Sequence, residues 1–185
     1  PNDINSYHFF MHENLFDHID IPAENINIPS GTLEIKKVRD YCKAYEKKIA
    51  DLGGLDFQLL GIGRTGHVGF NEPGSNVNSQ TRLVTLDHLT RYDAAGAFYG
   101  IENVPRKAIT MGIKTILSAK RIVLLAWGTN KSEIIQKAIE GIITPTIPTT
   151  YLQEHNNTTL VLDQQATSGL TRIKTPWIIG NCDWR

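Results

Sequence analysis

A chain of 185 residues, 41% hydrophobic and 21% charged, is composed like one globular domain with a core of its own. Nineteen Lys and Arg balance nineteen Asp and Glu, so no global field invites nucleic acid or an anionic membrane surface. No apolar run approaches the roughly 20 residues of a membrane span. The two cysteines, Cys42 and Cys182, make no disulfide framework, and the expectation is a cytoplasmic protein with reduced thiols.

The chain opens at Pro1 in a polar stretch, Asn2-Asp3-Ile4-Asn5-Ser6, and reads as a piece cut from something longer. Ser6 to His18 carries Phe9, Phe10, Leu15 and Phe16 among polar residues, which predicts a short amphipathic helix capped by Asn5 or Ser6. Glu34 to Leu52 sets Ile35, Val38, Cys42, Tyr45 and Ile49 at helical spacing, and Gly53-Gly54 stops that helix. Its lysines, Lys36-Lys37 to Lys47-Lys48, alternate with Glu34, Asp40, Glu46 and Asp51 and read as a solvated, ion-paired face. Asp56 to Ile62 is a predicted strand, Arg82 to Leu86 alternates like another, and His88 to Phe98 is a predicted helix. Ala108 to Ile113 follows as a strand, with a helical turn over Thr115 to Lys120.

The clearest buried strand is Arg121 to Trp127, closed by Gly128. Lys131 to Gly141 then forms a helix with Ile134, Ile135, Ala138 and Ile139 inward, and Thr158 to Asp163 is the last strand. Continuous apolar strands alternating with helices imply an open α/β sheet of parallel strands covered on both faces. Ligands of such sheets sit beyond the carboxyl ends of the strands. Gly61 to His67 and Gly128 to Lys131 both occupy that position.

Gly61, Gly63 and Gly66 match the spacing of the dinucleotide fingerprint. The helix that fingerprint should open is interrupted by Phe70-Asn71-Glu72-Pro73-Gly74, and no strand with an acidic end follows at the usual distance, so no nicotinamide cofactor is expected. His67 in this loop and Glu72 five residues on could form a proton-transferring pair. Spacing equally allows His67 to bond loop backbone while Glu72 caps a turn. Gly128 to Lys131 combines close backbone approach, a helix N-terminus and a positive charge, as an anion site needs. The alternative is a lysine in the first turn of a surface helix. His8 and His12 would share a helix face, but no third ligand is evident and no metal is expected.

The runs "SYHFFMHENLFDHIDIPAENINIPSG", "GIGRTGHVGFNEPGS", "NVPRKAITMGI", "RIVLLAWGTNK" and "YLQEHNN" together resemble the glucosamine-6-phosphate deaminase (isomerase) family over nearly the whole chain. The resemblance implies an open, mostly parallel Rossmann-like sheet with helices on both faces, assembled as a homo-oligomer. It also implies a cofactor-free conversion of D-glucosamine 6-phosphate and water to D-fructose 6-phosphate and ammonia. On the matching positions, His67 and Glu72 open the sugar ring and Lys131 grips the phosphate. Gly61, Gly63 and Gly66 let backbone approach the sugar. Thr65 stands where the family has an aspartate, as a hydrogen-bonding substitute. Arg82, carried here as a substrate-binding candidate, and Ser75 fit the family's site for acetylglucosamine phosphate, where the expected lysine is Val84. The family's lid arginine would fall near Gly96-Ala97, with Arg91 the nearest arginine, and its C2 base would lie upstream of Pro1. The chain then corresponds to the C-terminal two-thirds of a deaminase domain. Its ending, "TPWIIGNCDWR", resembles longer members in which a domain like a sugar N-deacetylase follows. The rival readings are a 6-phosphogluconolactonase-like hydrolase, whose family shares the Gly-x-Gly-x-x-Gly-His portion, and a sugar-phosphate sensor without chemistry.

Overall fold

The computed structural model describes residues 3–171. Cys182 and the "TPWIIGNCDWR" ending lie outside the described residues. In chain order the elements are α1 (Tyr7–Asn14), α2 (Ile35–Asp51), β1 (Gln58–Gly61), β2 (Arg82–Thr85), α3 (His88–Ala94), β3 (Lys107–Thr110), α4 (Ile113–Leu117), β4 (Ile122–Ala126), α5 (Ser132–Glu140) and β5 (Thr158–Leu162). Single 3-10 turns lie at Phe16–His18, Ala23–Asn25 and Thr129–Lys131, and a longer one at Pro148–Glu154. None of the described helices is long and apolar enough to cross a membrane. Contacts divide the chain into two compact units: residues up to Leu52 with Thr81–Thr110, and Gly53–Gln80 with residues from Met111 on.

In the first unit, Ser6 caps α1 as expected, its side-chain oxygen accepting from Phe9 N at 3.0 Å. The helix stops earlier than predicted, at Asn14, because Leu15 leaves the helical region (φ −142°), and a 3-10 turn takes over. α2 runs as expected to Gly53 and Gly54, whose φ of +89° and +91° suit only glycine. Its solvated face carries the expected ion pairs, Lys47–Asp51 at 2.6 Å and Lys36–Glu34 at 2.9 Å among them. Glu46 departs from that expectation: it turns to Thr81 and accepts from its backbone N at 2.7 Å and from its hydroxyl. Cys42 is buried and free, and burial first, then Glu46, pushes its thiol pKa up, which suppresses the reactive thiolate.

The two predicted strands of this unit do not join a parallel sheet. β2 and β3 pair antiparallel with each other, Arg82 opposite Thr110 and Thr85 opposite Lys107. Both are short, Arg-Leu-Val-Thr and Lys-Ala-Ile-Thr, with two apolar residues between polar ends rather than the continuous apolar run of a central parallel strand. Between them, Asp87 caps α3 by accepting from Leu89 N at 2.8 Å. α3 ends at Ala94, short of the predicted Phe98, and Gly100 N closes the following turn onto Ala95 O at 2.9 Å.

The second unit holds the parallel sheet, in the order β1-β4-β5, with Leu60 opposite Leu124 and Leu124 opposite Leu160. β4 is central because it is the most continuously apolar, and Ile122 and Leu124 are wholly buried. The core against it draws Leu60 from β1, Ile113 and Ile116 from α4, and Ile134, Ile135 and Ala138 from α5. α4 begins two residues before the predicted turn, with Ser79 holding its start: its hydroxyl accepts from Ile113 N at 3.0 Å. The other side of the same strands shows Leu59 and Val161, both about half exposed. The architecture is α/β with a parallel sheet, and the carboxyl ends of β1 and β4 leave it through the two loops singled out in the sequence.

Candidate active site

The first loop is shaped by what its glycines make room for. Gly63 N donates to His67 O at 2.9 Å and Gly66 N to Gly63 O at 3.0 Å, closing a tight turn. The His67 imidazole lies directly on Gly63, where an added Cβ would sit 2.0 Å from ring atoms Cε1 and Nε2. Gly66 has φ +80°, and its Cβ would meet Ile147 Cγ2 at 2.5 Å. Its carbonyl is held by Thr149, buried, through N at 2.9 Å and the hydroxyl at 2.5 Å. At Gly61 a Cβ would meet nothing within 4 Å, so packing places no demand there.

Beyond the buried Val68, Asn71 is fully buried and ties the loop down, its amide donating to Val68 O at 3.0 Å and Met111 O at 2.8 Å. Pro73 and Gly74 then turn the chain: Ser75 N donates to Glu72 O at 3.0 Å, and Gly74, at φ +92°, donates to Pro145 O at 2.7 Å. Glu72 is thereby folded back onto the histidine. Its Oε2 stands 3.1 Å from His67 Nδ1, and the two side chains are only 12% and 17% exposed. Thr65 Oγ1 is 2.9 Å from the same Nδ1 and 3.5 Å from Glu72 Oε2. A carboxylate only accepts, so Nδ1 carries the proton and Nε2 offers its lone pair. This is a sheltered acid–base pair of the kind that moves protons near neutral pH.

The second loop differs from its expectation. β4 ends at Ala126, Trp127 is exposed, and Gly128 turns with φ +88°. Gly128 N is not free for an anion: both carboxylate oxygens of Asp163 take it, at 3.1 and 3.0 Å. The predicted helix from Lys131 begins instead at Ser132, after the turn Thr129–Lys131, because Lys131 N bonds Gly128 O at 3.0 Å in the tighter 3-10 manner. Half-buried Lys131 reaches back across the sheet end, its Nζ donating to Ile62 O at 2.8 Å. The ammonium and the histidine loop are thus neighbours, although 64 positions separate Lys131 from His67.

Arg82 stands on β2 in the other unit, half-buried, and burial lowers the pKa of its guanidinium from the ordinary value. Arg91, also there, donates to Ile101 O at 2.6 Å and serves the local backbone. The His8 and His12 rings stack at 4.5 Å, and His12 Nδ1 lies 2.9 Å from Asp17. No group of three or more His, Cys, Asp or Glu among the described residues could hold a metal. Sequence reasoning missed Asn71, Thr149 and Asp163. Only Asp163 had a usable signal, since it ends a strand at the ligand-binding edge of the sheet, as Gly61 and Gly128 do.

Residues 1–161 match the family model of glucosamine-6-phosphate isomerases/6-phosphogluconolactonase. The chain belongs to that family. A glucosamine-6-phosphate deaminase of Clostridium novyi is 50% identical over 89% of this chain and 68% of its own length. A putative glucosamine-6-phosphate deaminase-like protein of Bacteroides thetaiotaomicron is 49% identical over 98% of this chain but only 27% of its own. This chain therefore spans about a quarter of one relative and about two thirds of the other. Among solved structures, a monomeric glucosamine-6-phosphate deaminase is similar at 45% identity with a TM-score of 0.87, covering 91% of this chain and 69% of that one. A 6-phosphogluconolactonase from Trypanosoma brucei shares the fold, at 19% identity and a TM-score of 0.66, over 91% of this chain and 70% of its own.

Proposed function

We propose that this chain is part of a deaminase domain that converts D-glucosamine 6-phosphate and water to D-fructose 6-phosphate and ammonia. The observation that carries the reading is the meeting of the His67–Glu72 pair with the Lys131 ammonium at one end of a parallel sheet. His67 Nε2 takes the proton of the anomeric hydroxyl and passes it to the ring oxygen as the C1–O5 bond breaks, so the pyranose opens without net change of charge. Glu72 fixes the tautomer and balances the imidazolium that forms, while Thr65 orients the ring. Lys131 holds the phosphate by leaving the Ile62 carbonyl for a stronger, charged acceptor. The glycine loop at positions 61, 63 and 66 gives the sugar a side-chain-free surface, and Gly61 is the position with open space. After ring opening a proton moves from C2 to C1, water adds to the resulting imine carbon and ammonia leaves as the C–N bond breaks. No change of oxidation state calls for an external redox cofactor. Arg82, in the other unit, is a substrate-binding candidate on the family resemblance alone. A cytoplasmic setting and self-association belong to the same proposal, and sedimentation of the full-length protein decides between an oligomer and a monomer like the solved relative.

The deaminase relatives, at 45–50% identity, favour this over lactone hydrolysis, which is represented among the solved structures by a relative at 19%. Ammonia release from glucosamine 6-phosphate by the full-length protein tests it. Turnover of 6-phosphogluconolactone without ammonia release would favour the hydrolase, and tight substrate binding without turnover would favour a sensor.

A further inference from the structure

Asp163 takes part in nothing proposed so far, yet it ties together two strand ends of the site. It follows β5 directly, and its two oxygens accept from Gly128 N at 3.1 and 3.0 Å, while Oδ1 also accepts from Ala166 N at 2.7 Å. Gly128 is the residue at φ +88° on which the second loop turns, and its carbonyl accepts from Lys131 N at 3.0 Å. Lys131 in turn reaches Ile62 O at the end of β1. A continuous series of hydrogen bonds therefore runs from β5 through the β4 loop to the β1 loop. A bare electrostatic argument sets an acidic side chain beside a phosphate loop at a disadvantage, because it repels the incoming dianion. A carboxylate in that place needs a different reason. Two acceptor oxygens on a single N–H of a residue with left-handed backbone hold the turn in one conformation.

We propose that Asp163 is a positioning residue for substrate phosphate: it sets the Gly128 turn, and through it the reach of the Lys131 ammonium. The inference rests on the reading of Lys131 as the phosphate-binding group. Asp163→Asn is the informative change, because it keeps the shape, removes the charge and replaces one acceptor oxygen with a donor that opposes the backbone N–H groups.

In the full-length protein, Asp163→Asn should raise both KM for glucosamine 6-phosphate and the inhibition constant of inorganic phosphate by about five- to tenfold, on the order of one charge-assisted hydrogen bond. The value of kcat should stay within about twofold, since the His67 loop keeps its own supports. In a Lys131→Ala background the same change should add nothing, which a purely structural role would not produce. Unchanged or tighter phosphate binding by Asp163→Asn, alongside weaker binding by Lys131→Ala, overturns this inference and leaves Lys131 its role. Unchanged phosphate binding by Lys131→Ala removes both. Should Asp163→Asn fail to fold, Asp163→Glu shifts the same oxygens by one methylene and must show the same KM-only loss for the inference to stand.

Discussion

The loops after β1 and β4 leave the same end of one sheet, yet they are held in shape by opposite means. The first is fixed by packing: an imidazole seated on Gly63, Gly66 pressed against Ile147, and Asn71 buried beneath. The second is fixed by polar ties, Asp163 to Gly128 at the surface and Lys131 to Ile62 partly buried. The difference follows from the task each would perform. Proton transfer falls off within tenths of an ångström of misplacement, so the acid–base pair is embedded where nothing else fits. An ammonium that meets a dianion acts over a longer range, and hydrogen bonds to carboxylate and carbonyl suffice to aim it.

The sharpest test of that contrast is the acid–base pair itself. If the proposed activity holds, His67→Asn or Glu72→Gln in the full-length protein should lower kcat by about 10² to 10⁴, the usual contribution of such a group, with little change in KM. Stopped-flow ammonia release would show it, and the defect should shrink with substrate supplied in open-chain form. Near-normal turnover would mean that the loop binds or packs and does not catalyse.

Gly63→Ala comes next. A methyl 2.0 Å from the imidazole must push the ring aside, and a displacement near 1 Å costs about 10²-fold in rate. Folding should also lose about 1–3 kcal/mol from overpacking, visible as a lower Tm. If Gly63→Ala keeps its kcat, the embedding argument fails even where His67 is catalytic.

For the second loop, Lys131→Ala should weaken substrate binding by about 1.5–3 kcal/mol, the range of a charged hydrogen bond, and leave kcat nearly intact. Isothermal titration with inorganic phosphate reads the same loss without turnover. A fall in kcat larger than the rise in KM would assign Lys131 to the chemistry and erase the contrast. The smallest effect belongs to Thr65→Ala, which removes one neutral hydrogen bond to His67 Nδ1 while Glu72 remains. About 0.5–1.5 kcal/mol is expected, confined to kcat.

Much of this site was readable from the chain. The glycines at 61, 63 and 66 announced a close approach, and at Gly63 the approaching group proved to be the protein's own histidine. The Pro73-Gly74 pair announced the turn that returns Glu72. Ser6 and Gly53-Gly54 marked where helices begin and end. Other features could not be read. Asp163 and Gly128 lie 35 positions apart, and Thr149 and Gly66 lie 83 apart; neither pair leaves a local trace. The antiparallel pairing of β2 with β3 leaves no local trace either, because neither strand's residues name its partner.

Local sequence determined what short-range physics controls: the helix caps, the glycine turns, the apolar runs that become β1, β4 and β5, and the residue types able to carry protons and phosphate. Backbone sterics and side-chain periodicity act over a few residues and leave a readable pattern. The tertiary structure alone decided that Lys131 reaches Ile62, that Asp163 occupies the Gly128 N–H expected to be free, and that Glu46 leaves its solvated face for Thr81. Those outcomes depend on the parallel register of β1, β4 and β5 in the first two cases and on packing within the other unit in the last. Many residue pairs of suitable chemistry compete for each such contact, and only the assembled backbone selects among them.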